Sequence, residues 1–216
     1  MNLALILVIV ILGSTSLASE WGVVGVYSSY NQTPSTQTGS NTNLNYTGSP
    51  ASGYGGGLVQ IWPLSNVFSF EMRALYISEG LNTSYSGTLS GQNVTGTATQ
   101  TAPFFEFPLL LNLNLGSKFA LHGGGFFSLA TGNISTNVTV NVSGTTVSNS
   151  SNTPNTTNDY GVVGGLEFKT EISQTVDFFI SVDYLYGLAN QEAGASSFSA
   201  NYSRAIQGVA GFLFRP

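Results

Sequence analysis

The stretch "EFPLLLNLNLGSKFALHGGGFFS", residues 106–128, combines long apolar runs with polar and ionisable side chains inside them. Glu106 and His122 interrupt these runs, Asn alternates with Leu, and three glycines follow one another. Successive glycines disfavour a helix. Alternation suits a strand, because successive side chains point to opposite faces of a sheet. The stretch therefore predicts two strands joined at Gly116 and Ser117, each with one apolar face and one face that carries polar groups.

The same period of two recurs in other aromatic runs. In "FSFEMRALY", Phe70 and Met72 share one face, whereas Glu71 and Arg73 share the other. "DFFISVDYLYG" repeats the pattern and places Asp183 on its polar face. Most charged residues thus lie within predicted strands, which is the reverse of an ordinary soluble sheet protein.

The segments between these runs carry no ionisable Asp, Glu, Lys, Arg or His side chain over residues 31–51, 80–101 and 130–158. Two environments place apolar and ionisable groups on opposite faces of a strand: a sheet with one face in water, and a closed barrel with lipid outside and a polar interior. The polar faces here are sparse and rich in Gly and Ser, which favours a narrow, filled lumen. A closed barrel also leaves no unpaired strand edge within the bilayer.

Eight strands are predicted, at residues 20–30, 52–62, 67–78, 102–115, 118–130, 159–170, 176–188 and 201–214. Short turns are predicted at 63–66, 116–117 and 171–175, and long polar loops at about 31–51, 79–101, 131–158 and 189–200. Alternating short and long connections are typical of outer-membrane barrels. The predicted fold class is all-β: an eight-stranded, antiparallel, up-and-down transmembrane β-barrel with short periplasmic turns, long extracellular loops and periplasmic termini.

The first 18 residues predict a secretory signal peptide, because an apolar run is followed by small residues and an A-x-A-like site ending at Ala18. A short transmembrane anchor is the alternative, but the run is shorter than the roughly 20 residues that a span needs. The barrel domain is then expected over 19–216. The chain has no cysteine and a net charge of −5. This composition argues against a disulfide framework and against a nucleic-acid partner.

Aromatic residues cluster at both ends of the predicted strands, as expected of girdles at the two membrane interfaces. The periplasmic girdle is predicted to contain Trp21, Trp62, Phe212 and Phe214. The outer girdle is predicted to contain Tyr30, Tyr54, Tyr76, Tyr160, Tyr186 and Tyr202.

The motifs "FEFPLLLNLNLGSKFALHGGGFFSLATG", "DYGVVGGLEF", "VDYLYGLAN" and "AIQGVAGFLF" resemble the small outer-membrane β-barrel family of OmpA-like and PorT-like domains over most of residues 20–216. The resemblance implies a bacterial outer-membrane location and outer-membrane lipid as the surroundings. It also implies a C-terminal aromatic signal for the barrel-assembly machinery, here Phe214 with Phe212 two residues before it. Arg215 and Pro216 follow, which departs from the family pattern. A monomer is expected.

The ionisable side chains on the inner faces are expected to pair inside the lumen, since an eight-stranded barrel has room for little besides side chains and unpaired buried charges are costly. The predicted lumen polar network has Arg73 at its centre. Its members are Glu71, Arg73, Glu106, His122, Glu167, Lys169 and Asp183. His122 is the only histidine. It is expected low in the wall, so no catalytic residue, metal site or cofactor is predicted.

The predicted function is therefore non-enzymatic: a structural or surface-interaction role for a barrel with a plugged or very narrow polar lumen. A small-solute or ion-conducting porin-like channel is one alternative. A soluble lipocalin-type barrel that binds an apolar ligand is another, although it would need an apolar lumen and a charged exterior. A membrane-embedded enzyme built around His122 is the third. The composition does not identify a ligand.

Overall fold

The computed structural model describes residues 19–32, 37–39, 42–156, 158–189 and 203–215. Within them the chain forms eleven strands. These are β1 (Glu20–Gln32), β2 (Gln37–Gly39), β3 (Thr42–Pro63), β4 (Phe68–Leu89), β5 (Gln92–Leu115), β6 (Phe119–Ala130), β7 (Asn133–Val142), β8 (Thr145–Pro154), β9 (Asp159–Ser173), β10 (Val176–Gly187) and β11 (Ser203–Phe214). No helix in the described part of the chain is long and apolar enough to cross a membrane.

Eight of the strands pair into a closed antiparallel ring in the order β1, β3, β4, β5, β6, β9, β10, β11, with β11 returning to β1. The first and last strands close it with Trp21 opposite Phe214 and Gln32 opposite Ser203. All eight correspond to predicted strands, and the predicted all-β barrel fold is confirmed. We call the end with the short connections at 64–67, 116–118 and 174–175 the turn end, and the opposite end the loop end.

The strand register makes the ring narrow. When the cross-strand partners of Trp21 are followed once around the ring, the path returns to β1 at Asn31, ten residues further along. A shear of ten with eight strands corresponds to strands tilted by about 40° and a lumen that side chains fill.

The two faces of each strand differ as predicted. On β4, Glu71, Arg73 and Leu75 are buried inside the ring, while the intervening side chains are partly exposed. Leu109 on β5 and Val182 on β10 point outward and are largely exposed. The outer surface is an apolar band of the kind that lipid covers.

The lumen is less polar than the sequence analysis predicts, because apolar side chains fill much of it. One cluster includes Val59, Leu75, Phe179 and Leu213. A second contains Leu110, Phe126, Val163, Leu185 and Ala205. These apolar residues occupy inward positions of the same alternating runs. The polar groups of the lumen are therefore embedded among apolar side chains.

Three of the predicted loops are largely strand, so this part of the prediction is wrong. β3, β4 and β5 continue past the ring, and β2, β7 and β8 add to them as a projecting sheet. Thr and Val alternate in β7, which has the high strand propensity that a reading based on polarity overlooks. Most of the fourth predicted loop, from residue 190, lies outside the described residues.

The aromatic residues follow the predicted girdles with one exception. Trp21 and Phe214 pack together on the outer surface of the barrel at the turn end, with ring centroids 4.8 Å apart. Phe212 packs against Phe178, with ring centroids 5.8 Å apart. Tyr30 instead packs with the second lumen cluster, because even-numbered residues of β1 face inward. Tyr202 and the predicted signal peptide, residues 1–18, lie outside the described residues.

Candidate functional site

A group of charged and polar side chains fills the turn-end half of the lumen, and Arg73 lies at its centre. The Arg73 Nε donates to Glu71 Oε1 at 2.5 Å, and Nη1 donates to Asp183 Oδ2 at 2.5 Å. All three residues are almost completely buried. Guanidinium donors directed at two carboxylates offset much of the cost of removing these charges from water.

The contact between Arg73 and Asp183 crosses the whole lumen. Arg73 lies on β4 and Asp183 on β10, which are four positions apart in a ring of eight and therefore face each other across the barrel. Ser181, also on β10, donates to the same carboxylate at 3.3 Å. A direct side-chain contact therefore spans the diameter of the lumen at this level.

His122 on β6 joins the group through the other oxygen of Asp183, with Nε2 and Oδ1 2.6 Å apart. Gly165 on β9 makes room for this contact. A Cβ atom built on Gly165 would lie 2.5 Å from Asp183 Oδ1 and 2.6 Å from His122 Nε2, which is closer than such atoms approach. The glycine is therefore required by the packing of the histidine and the carboxylate.

Glu167 and Asn112 occupy the turn-end side of the group. Glu167 Oε2 is 3.9 Å from Arg73 Nη2, an ion pair without a hydrogen bond. Asn112 Nδ2 donates to Glu71 Oε2 at 2.8 Å. This leaves Glu167 Oε2, Arg73 Nη2 and Asn112 Oδ1 buried without a hydrogen-bond partner. We call Glu71, Arg73, Asn112, His122, Glu167 and Asp183 the Arg73 network.

Glu106 forms a second polar contact across the lumen, separate from the hydrogen bonds of Arg73. Gln207 Nε2 on β11 donates to Glu106 Oε1 at 3.1 Å, and Ser128 on β6 donates to Oε2 at 3.4 Å. β5 and β11 also face each other across the ring. The lumen is thus bridged at two successive levels.

Lys169 lies at the turn-end mouth and bonds outside the Arg73 network. Its Nζ donates to Glu20 Oε2 at 3.0 Å, and both side chains are partly exposed. The predicted network therefore divides in the structure: Arg73 and four of the other predicted residues lie together, while Glu106 and Lys169 bond elsewhere.

Several lumen residues were missed by the sequence analysis. At the loop end, Ser203 donates to Asp159, and Glu79 lies with them around a cavity of about 20 Å³. Glu79 and Asp159 stand at or beyond the ends of the predicted strands. Gln207 was detectable, because "SRAIQGVAGF" alternates with Gln on the same face as the buried Val209.

The geometry does not assemble a hydrolytic triad from His122. Its Nε2 is engaged by Asp183, and Ser181 donates to that carboxylate rather than to the histidine. Among the described residues, no group of three or more His, Cys, Asp or Glu side chains is arranged to hold a metal ion.

Comparison with known proteins identifies the family. Residues 18–191 match the model of the "Outer membrane protein beta-barrel domain" family. The chain belongs to this family. Comparison with curated protein sequences finds no match. The family and the barrel together make this an outer-membrane protein.

Solved outer-membrane barrels are similar at low identity. OprG from Pseudomonas aeruginosa is 13% identical, with 91% of this chain and 95% of that chain covered and a TM-score of 0.41. Ail of Yersinia pestis, in complex with the heparin analogue sucrose octasulfate, is 10% identical, with 91% and 99% covered and a TM-score of 0.37. Neisserial surface protein A is 12% identical, with 91% and 97% covered and a TM-score of 0.37. The family assignment rests on the sequence match.

Proposed function

We propose that this protein is a non-enzymatic outer-membrane barrel with a sealed lumen, which holds a projecting, uncharged β-sheet at the cell surface for interaction. In the proposed orientation, the turn end and both termini face the periplasm, and the loop end faces the outside of the cell. The surroundings of the barrel wall are outer-membrane lipid, and the barrel-assembly machinery inserts the chain as a monomer.

The observation that carries the sealed lumen is the contact between Arg73 and Asp183 across the barrel diameter. The contact between Gln207 and Glu106 adds a second level closer to the loop end. The apolar cluster that includes Leu75 and Phe179 occupies the space beside them. A conducting pore would need a continuous water-filled path, which these contacts interrupt.

The surface-interaction role is supported by the composition and form of the projecting sheet. Its strands extend beyond the ring on β3, β4 and β5, and β8 forms one edge with every residue exposed. Residues 80–101 and 130–158 contain no ionisable Asp, Glu, Lys, Arg or His side chain. Such a surface offers hydroxyl, amide and backbone groups to a partner without selecting it by charge.

The sealed lumen is tested by conductance in planar bilayers. We expect purified wild-type protein to conduct little or no current. Arg73→Ala removes the cation that pairs with Glu71 and Asp183, which should lower the free energy of unfolding by about 3–5 kcal/mol or open a leak. Arg204→Ala is the matched control, because Arg204 lies outside the lumen over the Tyr186 ring, 5.4 Å from its centroid.

The channel alternative makes the opposite prediction for the same experiment. A large and steady wild-type conductance that Arg73→Ala leaves unchanged would refute the sealed lumen and support a porin-like function. A leak in Arg73→Ala that is absent from both wild type and Arg204→Ala would support the sealed lumen.

A further inference from the structure

Strand β8 (Thr145–Pro154) forms a free edge of the projecting sheet. Among the described residues it pairs only with β7, without a register shift, and each of its ten residues is exposed. It carries no charged side chain, and its only proline is the last residue, Pro154. Proteins usually protect an edge strand by charge, by an internal proline, by a bulge or by making it very short. β8 has none of these protections, so its edge is open to pairing with another strand.

The backbone groups that β8 presents at this edge follow from its pairing with β7. In an antiparallel pair, successive residues direct their N–H and C=O groups to opposite sides of the strand. Asn155, directly after β8, donates its N–H to the Gly132 carbonyl oxygen at 3.1 Å, so the odd-numbered residues bond toward β7. The even-numbered residues therefore direct their N–H and C=O groups to the free edge. These are Thr146, Ser148, Ser150 and Asn152.

A second copy of β8 complements this edge. Antiparallel pairing of two copies about Asn149 brings every edge-directed residue opposite an edge-directed residue of the other copy. Asn152 of one copy then lies opposite Thr146 of the other, and Ser150 lies opposite Ser148. Neither strand contains a charge, so two copies do not repel each other at the contact.

The same kinds of side-chain pair already hydrogen-bond between β7 and β8. Asn141 Nδ2 donates to Thr146 Oγ1 at 3.1 Å, which is the amide and hydroxyl combination that Asn152 and Thr146 would repeat. The hydroxyl groups of Thr139 and Ser148 lie 3.1 Å apart, as two serine hydroxyls would across the new pair. The contact between copies thus extends a pattern that the sheet already contains.

We propose that β8 pairs with β8 of a second copy in a facing membrane, so that two projecting sheets join edge to edge. This rests on the proposed function, which places the projecting sheet outside the cell. Identical strands that pair antiparallel are related by a twofold axis perpendicular to them. The tip of one hairpin, at Thr145, then lies beside the barrel end of the other, at Pro154, and the two barrels point in opposite directions. Two copies in one membrane could pair these edges only in parallel, which is slightly less stable.

A single introduced cysteine tests the strand pairing, because the natural chain has none. Asn149→Cys places two thiols beside the twofold axis, where directly opposite residues bring their Cβ atoms to within about 4.5–5.5 Å. The purified full-length protein in neutral detergent should therefore form a covalent dimer on mild oxidation. Thr139→Cys is the matched control. It is exposed on β7, but three strand spacings, or about 14 Å, would separate its two copies, so it should not form a dimer.

The role of the backbone is tested at Ser150. Ser150→Pro removes an N–H that points to the free edge and leaves the bonds between β7 and β8 in place, whereas Ser150→Ala keeps this N–H and removes only the hydroxyl. Two populations of protein-containing lipid vesicles, labelled in different colours, should cluster with wild type and with Ser150→Ala but not with Ser150→Pro. Clustering that survives in Ser150→Pro, or that is lost in Ser150→Ala, would overturn pairing through the strand edge.

Two further outcomes separate this proposal from the proposed function. No covalent dimer of Asn149→Cys in detergent, or equal yields for both cysteine variants, would overturn the pairing of β8 and leave the proposed function in place, since that function needs only an exposed sheet. A membrane-impermeant maleimide should label Asn149→Cys on intact cells. Failure of this labelling, with efficient dimer formation in detergent, would overturn the outward orientation and with it the pairing between facing membranes.

Discussion

Neighbouring positions of one strand differ in the space that they leave for a side chain, because one faces outward and the next faces the lumen. Gly164 and Gly165 follow each other on β9, with Gly164 facing outward and Gly165 facing the lumen. A Cβ atom on Gly164 would have its nearest neighbour at 3.7 Å, an ordinary contact, whereas on Gly165 it would lie 2.5 Å from both Asp183 Oδ1 and the Val182 carbonyl oxygen. Only the inward glycine is required by packing.

Gly165→Ala should therefore lower the free energy of unfolding by about 1–3 kcal/mol, because the added methyl group must displace the histidine, the carboxylate or the backbone. Gly164→Ala should change it much less. Urea unfolding of both variants in lipid vesicles measures the difference. Equal effects of the two substitutions would mean that β9 does not have the assigned inward and outward faces.

The lumen contacts show which side-chain positions the sequence alone can predict and which it cannot. The alternation around Arg73 predicts Glu71 and Asp183 on inner faces, and both residues are buried in the structure. The choice of partners depends on which strands face each other across the ring, and on shear, which no single run of sequence contains. This is why Lys169 was expected inside the network but bonds to Glu20 at the mouth.

Each strand of the barrel has one face toward lipid and one face toward the lumen, as β5 illustrates. Leu109 on β5 points outward near mid-height and is 46% exposed, whereas Asn114 points inward close to the turn end. An arginine at the outward position would place a charge in the lipid. At the inward position it would lie near the polar cavity at the mouth.

Leu109→Arg should lower the free energy of unfolding by about 2–4 kcal/mol in lipid vesicles, and Asn114→Arg should lower it less. Urea titrations of the two variants, followed by tryptophan fluorescence, give this comparison. The reverse order of the two losses would contradict the orientation of β5.

The β7–β8 hairpin is an element that the barrel does not need. Strand β7 of the hairpin pairs with the projecting part of β5, from Val94 to Thr101. The ring strands on either side of the hairpin, β6 and β9, pair directly with each other. The backbone N–H of Asn155 already donates to the Gly132 carbonyl oxygen at 3.1 Å. The two ends of the hairpin are thus held together at its base.

Deletion of residues 133–154, which joins Gly132 directly to Asn155, should leave a folded barrel. The midpoint of urea unfolding in vesicles should fall only slightly, because the pairing of β6 with β9 and the Arg73 network remain. A deletion variant that fails to fold, while a variant with the same residues replaced in scrambled order folds, would show that the projecting sheet is part of the barrel core.

The whole molecule combines an apolar outer wall, a filled lumen and an uncharged projecting sheet. The barrel was predictable because alternate residues of each strand face lipid and lumen. Lipid favours apolar side chains and the lumen admits polar ones, so apolar and polar residues alternate along the sequence. The projecting strands were not predictable from polarity, since Ser, Thr and Asn occur in both loops and exposed strands. The apolar lumen clusters were not predictable either. An inward Val or Leu between outward apolar residues forms a continuous apolar run, and such a run does not show which of its side chains face the lumen.

Closure of the chain into one ring can be tested at the seam between β1 and β11. Gly25 and Ala210 are cross-strand partners at this seam, and both face outward. The natural chain has no cysteine, so a pair of introduced cysteines can be followed without background.

Gly25→Cys combined with Ala210→Cys should form an intramolecular disulfide on oxidation in the membrane, because directly opposite residues bring their Cβ atoms to within about 4.5–5.5 Å. Gly25→Cys combined with Gly123→Cys, which lies on β6 at the other side of the ring, should not form one. Efficient cross-linking of the first pair alone is the predicted result, and cross-linking of neither pair, or of both equally, would contradict the closed barrel.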